Sequence, residues 1–359
     1  MRIFLVGLIV LASACSPAPP PPAASTSTPA PPPWPAPSGP RVYVSDETGG
    51  KVVGIDVATG QVVGTIAVGK RPRGMRLSRD GKQLFVALSG SPIAGPGVDE
   101  SKLPPGDRSA DGIGVVDLAT GQLLRKLKAG QDPESFDISL DGATLYASNE
   151  ETAEMTIVDI ASGEVRSRVK VGGEPEGVTL RPDGREVYVT CEEDSEVFVI
   201  DTASARVLAK IKVGARPRAI EFTPDGAIGF VTNENDGTVS VIDTARHRVS
   251  GTVSIARPEG APTAARPMGV TLAPDGSQAF VSLGRAKAIA VLDVKSRKVL
   301  RTIDDVGDRI WGIALSADGK TLYTANGPSA DVSIVDVATG NVRSRIKTGG
   351  SPWGAVVSK

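Results

Sequence analysis

Apolar and polar residues along this chain fall into short runs of alternating character, and the runs come in sets of four. In one set taken as a template, residues 176–181 (EGVTLR), 187–190 (VYVT), 197–201 (VFVID) and 206–213 are each rich in Val, Ile, Thr or an aromatic and are bounded by Gly, Pro, Asp or Asn. These are the marks of strands, and no stretch keeps a 3.6-residue period long enough for a helix. An aromatic in the second run recurs at Tyr43, Phe85, Tyr146, Tyr188, Phe230, Phe280 and Tyr323, at spacings of 42, 61, 42, 42, 50 and 43. The repeat is therefore about 42 residues, with a large insertion in the second copy (89–111) and a smaller one in the fifth (256–265). Four short strands per repeat make the blade of a β-propeller, so the pattern predicts an all-β, seven-bladed ring over 41–359. The first copy begins at a second strand and the last stops after a first strand, so the two ends are expected to complete one shared blade. That closure removes free sheet edges.

Turn chemistry accounts for the most regular polar positions. Six copies carry Asp-Gly after the first strand (Asp80, Asp141, Asp183, Asp225, Asp275, Asp318), a dipeptide suited to the positive φ of tight turns. All seven end the third strand with an aspartate (Asp56, Asp117, Asp159, Asp201, Asp243, Asp293, Asp336), placed to accept hydrogen bonds from the amides of the next turn.

The copies VYVTCEEDSEVFVIDTASARVLAKIKVG and GFVTNENDGTVSVIDTARHRV resemble YVTN-family β-propeller repeats over about 41–359. Asp132-Pro133-Glu134, Glu174-Pro175-Glu176-Gly177 and Ala215-Arg216-Pro217-Arg218 are also similar to loops of propellers associated with PQQ-dependent alcohol catabolism in bacteria. Both resemblances imply fold more than function, because propellers of many roles share such loops.

The segment ahead of the propeller has a different composition. Residues 1–14 join a charged start, an apolar run and Ala12-Ser13-Ala14, the pattern of an export signal. The junction up to Cys15 resembles a bacterial lipoprotein signal, which implies lipidation of Cys15, and Ser16 implies the outer membrane facing the periplasm; a soluble periplasmic or cell-surface protein is the alternative. Residues 16–40 contain 12 prolines in 25 positions, a stiff tether reading within the 15–40 segment. It could reach roughly 75 Å. Trp34 within it is read as incidental.

Forty basic and 41 acidic residues leave a net charge of −1, which gives no sign of a nucleic-acid partner. The single histidine, His247, is placed in a turn between third and fourth strands and read as a surface residue, which excludes a multi-histidine metal site, a bis-histidine haem and a Ser-His-Asp triad. Cys191 is read as a tolerated small residue.

Positions that differ between copies are free to serve a site. Both insertions fall in loops of one face, and around that face the first strands open with Arg71-Pro72-Arg73, Asp132-Pro133-Glu134, Glu174-Pro175-Glu176, Arg216-Pro217-Arg218, Arg266-Pro267-Met268, Arg309-Ile310-Trp311 and Ser351-Pro352-Trp353. Two acidic blades are flanked by two basic ones, and Trp311 and Trp353 lie on adjacent blades. Arginines suit a carboxylate or phosphate and indoles an apolar or cyclic group, so this ring is the candidate ligand or partner face. The plainer reading is that the arginines pair with the acids and the tryptophans plug the channel. Loops after the second strands carry Asp46-Glu47, Asn149-Glu150, Cys191-Glu192-Glu193-Asp194 and Asn233-Glu234, read as a solvated acidic rim rather than a cation site.

These observations lead first to a monomeric, exported, lipid-anchored propeller that binds an envelope protein or small molecule without chemistry or cofactor of its own, accessory to a redox or catabolic system. The alternatives are a lactonase-like hydrolase or quinone-dependent oxidoreductase, with Glu134 and Glu176 as acid and base, and a structural envelope protein.

Overall fold

The computed structural model describes residues 34–93, 102–257 and 259–358. The expected export signal, Cys15 and the expected tether before Trp34 lie outside the described residues. Seven four-stranded antiparallel sheets form the ring, each with its strands in simple up-and-down order. In the template repeat the strands run Pro175–Leu180, Glu186–Cys191, Glu196–Asp201 and Val207–Lys212, within a residue or so of the pattern-based bounds. Blade one is built from both ends of the chain: Pro352–Val357 is its inner strand and pairs antiparallel with Arg41–Asp46, Val42 opposite Val357.

Each recurring aromatic is almost fully buried and packs between its own blade and the next. Tyr188 meets Phe222 of blade five edge to face at 4.9 Å, within a cluster that joins Val197, Val199 and Ile211 to Ile220 and Val231. Burying such a side chain contributes roughly 1.5–3 kcal/mol, so a 42-residue aromatic period is also a period of interblade adhesion.

Two residues beyond the aromatic lies a hydroxyl that stitches blades together. Ser45, Ser148, Thr190 and Thr232 donate across the interface to the carbonyls of Arg73, Glu176, Arg218 and Met268, at 2.7, 2.9, 2.8 and 2.6 Å. Each accepting carbonyl belongs to a residue of the variable triplet, so the stitch holds those side chains in register at the channel mouth. The inner strands also approach closely. A Cβ on Gly177 would sit 2.4 Å from the Arg218 carbonyl oxygen, which only glycine avoids.

The turn aspartates do what their spacing implies. Asp56 Oδ1 accepts from the backbone N–H and hydroxyl of Thr59, both at 2.8 Å, and the same pattern recurs at Asp117 and Asp336. His247 lies in the expected turn but is not a simple surface residue: its Nε2 is 3.0 Å from Glu186 and only 25% of its side chain is exposed. Trp34 is not incidental either. Its Nε1 donates to the Leu118 carbonyl at 2.8 Å, Arg41 covers its ring at 5.1 Å, and a Cβ at Gly54 or Gly121 would lie 2.5 or 2.4 Å from the indole. These four residues belong to blades one and two.

Candidate functional site

The variable triplets stand at the start of the inner strands, around one mouth of the central channel, and both insertions leave the blades on this face. Arg71, Asp132, Glu174, Arg216 and Arg309, the leading residues of five triplets, have φ between +41° and +56°. That left-handed region is rare for residues with a Cβ and costs on the order of 1–3 kcal/mol each. It turns the chain so that the third residue enters the channel wall.

The third residues form two buried ion clusters. Arg73 of blade two, with 3% of its side chain exposed, hydrogen-bonds Asp132 and lies 3.2 Å from Glu134 and 3.5 Å from Glu150. Arg218 of blade five reaches Glu176 at 2.6 Å, pairs with Glu192, and lies 3.8 Å from Glu234. The expected pairing of basic blades with acidic neighbours is therefore present. The loop acids Glu150, Glu192 and Glu234 complete it, and Glu47 does the same for Arg71 at 3.0 Å. These loop acids are not a solvated rim: Glu47 and Glu192 are buried and serve as partners of the ring.

The outer arginines are more open. Arg216 binds Glu192 at 2.7 Å and Arg266 binds Glu234 at 3.1 Å, with 45% and 48% of their side chains exposed. Glu174 is half-buried at the rim. Arg309 has no carboxylate within 4.0 Å among the described residues; its guanidinium instead lies 4.2 Å over the Trp311 ring. Trp311 and Trp353 stack with centroids 6.0 Å apart, and the Arg218 guanidinium also lies over the Trp311 ring, at 5.5 Å.

Carboxylates outnumber the buried arginines, and protonation absorbs the excess. Burial first, and then Glu134 and Glu192 nearby, raise the Glu176 carboxyl well above the usual range despite Arg218. Burial and Glu134 push Glu150 up to about 8. Burial also opposes charge on Glu192, but Arg218, a hydrogen bond with Glu176 and Arg216 hold its carboxyl below the usual range. Glu176 and Glu192 are thus shifted in opposite directions, and Glu176 is the member of the pair that favours the proton. Arg218 Nη1 is close to Glu176 Oε2 without the alignment of a hydrogen bond, which leaves that oxygen without a donor among the described residues.

Glu176, Arg218, Met268, Trp311 and Trp353 line one channel of about 560 Å³. This volume suits a small molecule. The tryptophans form part of its wall and do not seal it. Glu134 turns to Arg73 instead, so the acid beside Glu176 is Glu192, an assignment hidden in the sequence because Glu176 lies on the inner strand and Glu192 on the loop after the second strand. Its one signal is the position four beyond the aromatic, where Glu47, Glu150, Glu192 and Glu234 recur and other copies have Gly or Ser. Among the described residues no group of three or more His, Cys, Asp and Glu is placed to hold a metal ion. Cys191 is fully buried and its thiol is pushed up to about 12 by desolvation, so it is no nucleophile.

Residues 179–357 match the family model described as Lactonase, 7-bladed beta-propeller, and residues 42–209 match that of the Choice-of-anchor I domain. No curated protein matches. Among solved structures, hydrazine synthase from Kuenenia stuttgartiensis is similar at 22% identity and a TM-score of 0.71, covering 88% of this chain and 98% of that one. A putative 6-phosphogluconolactonase from Bacteroides uniformis ATCC 8492 is similar at 17% identity and a TM-score of 0.70, covering 89% and 99%. A protein from Lactobacillus plantarum gives 16% and 0.74, covering 89% and 99%. At these identities the neighbours speak for architecture, and with the seven closed sheets they make this chain a seven-bladed β-propeller.

Proposed function

We propose that the propeller is a hydrolase of lactones, acting at the insertion-bearing mouth of the channel. The observation that carries this reading is a pair of buried carboxylates, Glu176 and Glu192, on one nitrogen of Arg218, with Glu176 opening into a channel beside two stacked indoles. The match of residues 179–357 to a lactonase family model supports it over the non-catalytic binding module expected first.

Opening a lactone requires a water to attack the ring carbonyl carbon, the ring C–O bond to break, and one proton to pass from the water to the leaving oxygen. Holding one proton and one negative charge between them, Glu176 and Glu192 would accept the water's proton and return one to the alkoxide without net change. Arg218 and Arg309 would stabilise the negative charge that develops on the carbonyl oxygen. The Trp311 and Trp353 faces would seat the ring.

The test is alkali uptake by purified protein at pH 7 over a panel of γ- and δ-lactones, with and without a charged substituent. Turnover should fall at least about 100-fold in Glu176→Gln, the lower end of general acid–base contributions. Trp353→Ala should raise KM more than it lowers kcat. Equal turnover by Glu176→Gln, or none by the parent on any member of the panel, would defeat the reading. Lipidation of Cys15 and residence at the outer membrane remain part of the proposal, tested by mass spectrometry of the mature N-terminus.

A further inference from the structure

The channel continues below the mouth into a chamber whose wall differs from side to side. Directly after the triplet, five inner strands carry glycine, as at Gly177 and Gly354, and the bulge at that point lets the triplet residue and those beyond it face the channel together. Three residues beyond the triplet the seven inner strands carry Arg76, Asp137, Thr179, Glu221 and Thr271 on blades two to six, but Ala314 and Val356 on blades seven and one. At about 3.3 Å per residue this floor lies on the order of 10 Å from the mouth ring. The charged and apolar sides match those above, where charge occupies blades two to five and the tryptophans occupy seven and one.

A charge balance then distinguishes the two ends. On the floor, Arg76 is matched by Asp137 at 3.6 Å, and Asp137 further accepts from the N–H groups of Ile138 and Leu180 at 2.8 Å. Glu221 has no basic side chain within 4.0 Å among the described residues, although Arg76 is near enough to pull its carboxyl down, and Arg79, which also lines the channel, is held by the carbonyls of Ile138 and Ser139. At the mouth Arg309 is a cation stacked on Trp311 with no carboxylate within 4.0 Å among the described residues. Among the described residues, a carboxyl with no basic side chain within 4.0 Å thus stands on the floor and a guanidinium with no carboxylate within 4.0 Å stands at the mouth, with Trp353, Val356 and Ala314 on the apolar side between them.

We infer that the channel takes an elongated dipolar small molecule, with a primary ammonium at Glu221, a carbon chain along the Trp353–Val356 wall, and a carbonyl or carboxylate end at Arg309 and Arg218. This deepens the lactone reading by naming the class as lactones that carry a basic tail, and it rests on that reading for the end that reacts. Burial raises the Glu221 carboxyl to about 7 in spite of Arg76, so at neutral pH it is only partly charged and an ammonium beside it would complete its ionisation. Desolvated charge pairs of this kind discriminate strongly, because a ligand lacking the matching group leaves a buried partner unmet.

The experiment is titration calorimetry with three probes that contain no lactone: 6-aminohexanoate, hexanoate and hexylammonium. The full chain and its Glu221→Gln and Arg309→Gln variants are compared. The parent should bind 6-aminohexanoate at least about tenfold more tightly than hexanoate, a difference of about 1.4 kcal/mol. Glu221→Gln should abolish that preference while leaving hexanoate affinity unchanged, and Arg309→Gln should weaken both carboxylate probes while sparing hexylammonium. An unchanged preference in Glu221→Gln, or no binding of 6-aminohexanoate by the parent, overturns the inference. Because no bond is broken in these titrations, their outcome is independent of lactone turnover.

Discussion

Replacing Arg218 with methionine isolates the electrostatics of the mouth. The guanidinium is 7% exposed, and it faces Glu176 and Glu192 side chains that are 9% and 5% exposed, so its loss leaves Glu192 buried without its main partner. Removing one member of such a pair typically costs about 3–5 kcal/mol. Here the cost has a ceiling, because Glu192 can escape it by taking a proton. From an ordinary glutamate value of about 4.3, that escape costs about 4 kcal/mol at pH 7.5 and about 2 kcal/mol at pH 5.5, at roughly 1.4 kcal/mol per pH unit. Glu176 adds little, because its carboxyl already favours the proton. The sign follows from the direction of the shift: the Glu192 carboxyl is lowered, so its stabilisation is present above the ordinary value and is lost as pH falls through the folded one. Arg218→Met should therefore be most harmful at neutral pH and progressively milder on acidification, and adding Glu192→Gln should restore most of the loss. Urea unfolding followed by tryptophan fluorescence at the two pH values measures this. A loss under about 1 kcal/mol at pH 7.5, the range of an exposed pair, or a loss that does not change with pH, would refute the reasoning.

Glu150 behaves in the opposite sense. Its carboxyl is raised to about 8, so its contribution is complete below the ordinary value and is lost as pH rises through about 8. Glu150→Gln should therefore flatten the fall in thermal stability that this shift predicts for the parent between about pH 5 and 8, and an unchanged slope would count against the assignment. Gly177→Ala places a Cβ 2.4 Å from the Arg218 carbonyl oxygen and should cost about 1–3 kcal/mol in urea unfolding, as overpacking does. Trp34→Ala removes a half-buried indole and its hydrogen bond to Leu118, and should cost about 2 kcal/mol, read from the same unfolding curves.

The ring and its closure were legible because both are properties of a period. A 42-residue recurrence of buried aromatics and Asp-Gly turns leaves little freedom in the strand order, and the split first and last copies could only meet in one blade. The triplets were legible as exceptions to that period, and Glu176, Arg218, Trp311 and Trp353 do meet in one channel. What stayed hidden are contacts between copies. Glu192 sits 16 residues after Glu176 in sequence, on a loop with two other acids, Glu193 and Asp194, and only interblade packing turns it inward against Arg218 and Arg216. The hydroxyl stitches were missed for the same reason, since Thr190 reads as an ordinary strand residue until its neighbour's carbonyl is in place. Trp34 was misread because proline-rich composition describes a tether but not the glycine slot formed by Gly54 and Gly121 on two different blades. Glu221 was invisible for a further reason: that no basic side chain lies within 4.0 Å of it among the described residues depends on Arg76 being matched by Asp137 from a third blade.

The most direct measurement of where the chemistry resides is a crystal structure of the protein with a δ-lactam, a ring whose amide resists the cleavage a lactone undergoes. The account predicts the lactam ring against the Trp311 and Trp353 faces, its carbonyl oxygen within hydrogen-bond range of Arg218 or Arg309 and its ring N–H directed at the Glu176–Glu192 pair. A lactam bound away from the channel, or an occupied channel with Glu176 turned from the ring, would contradict it.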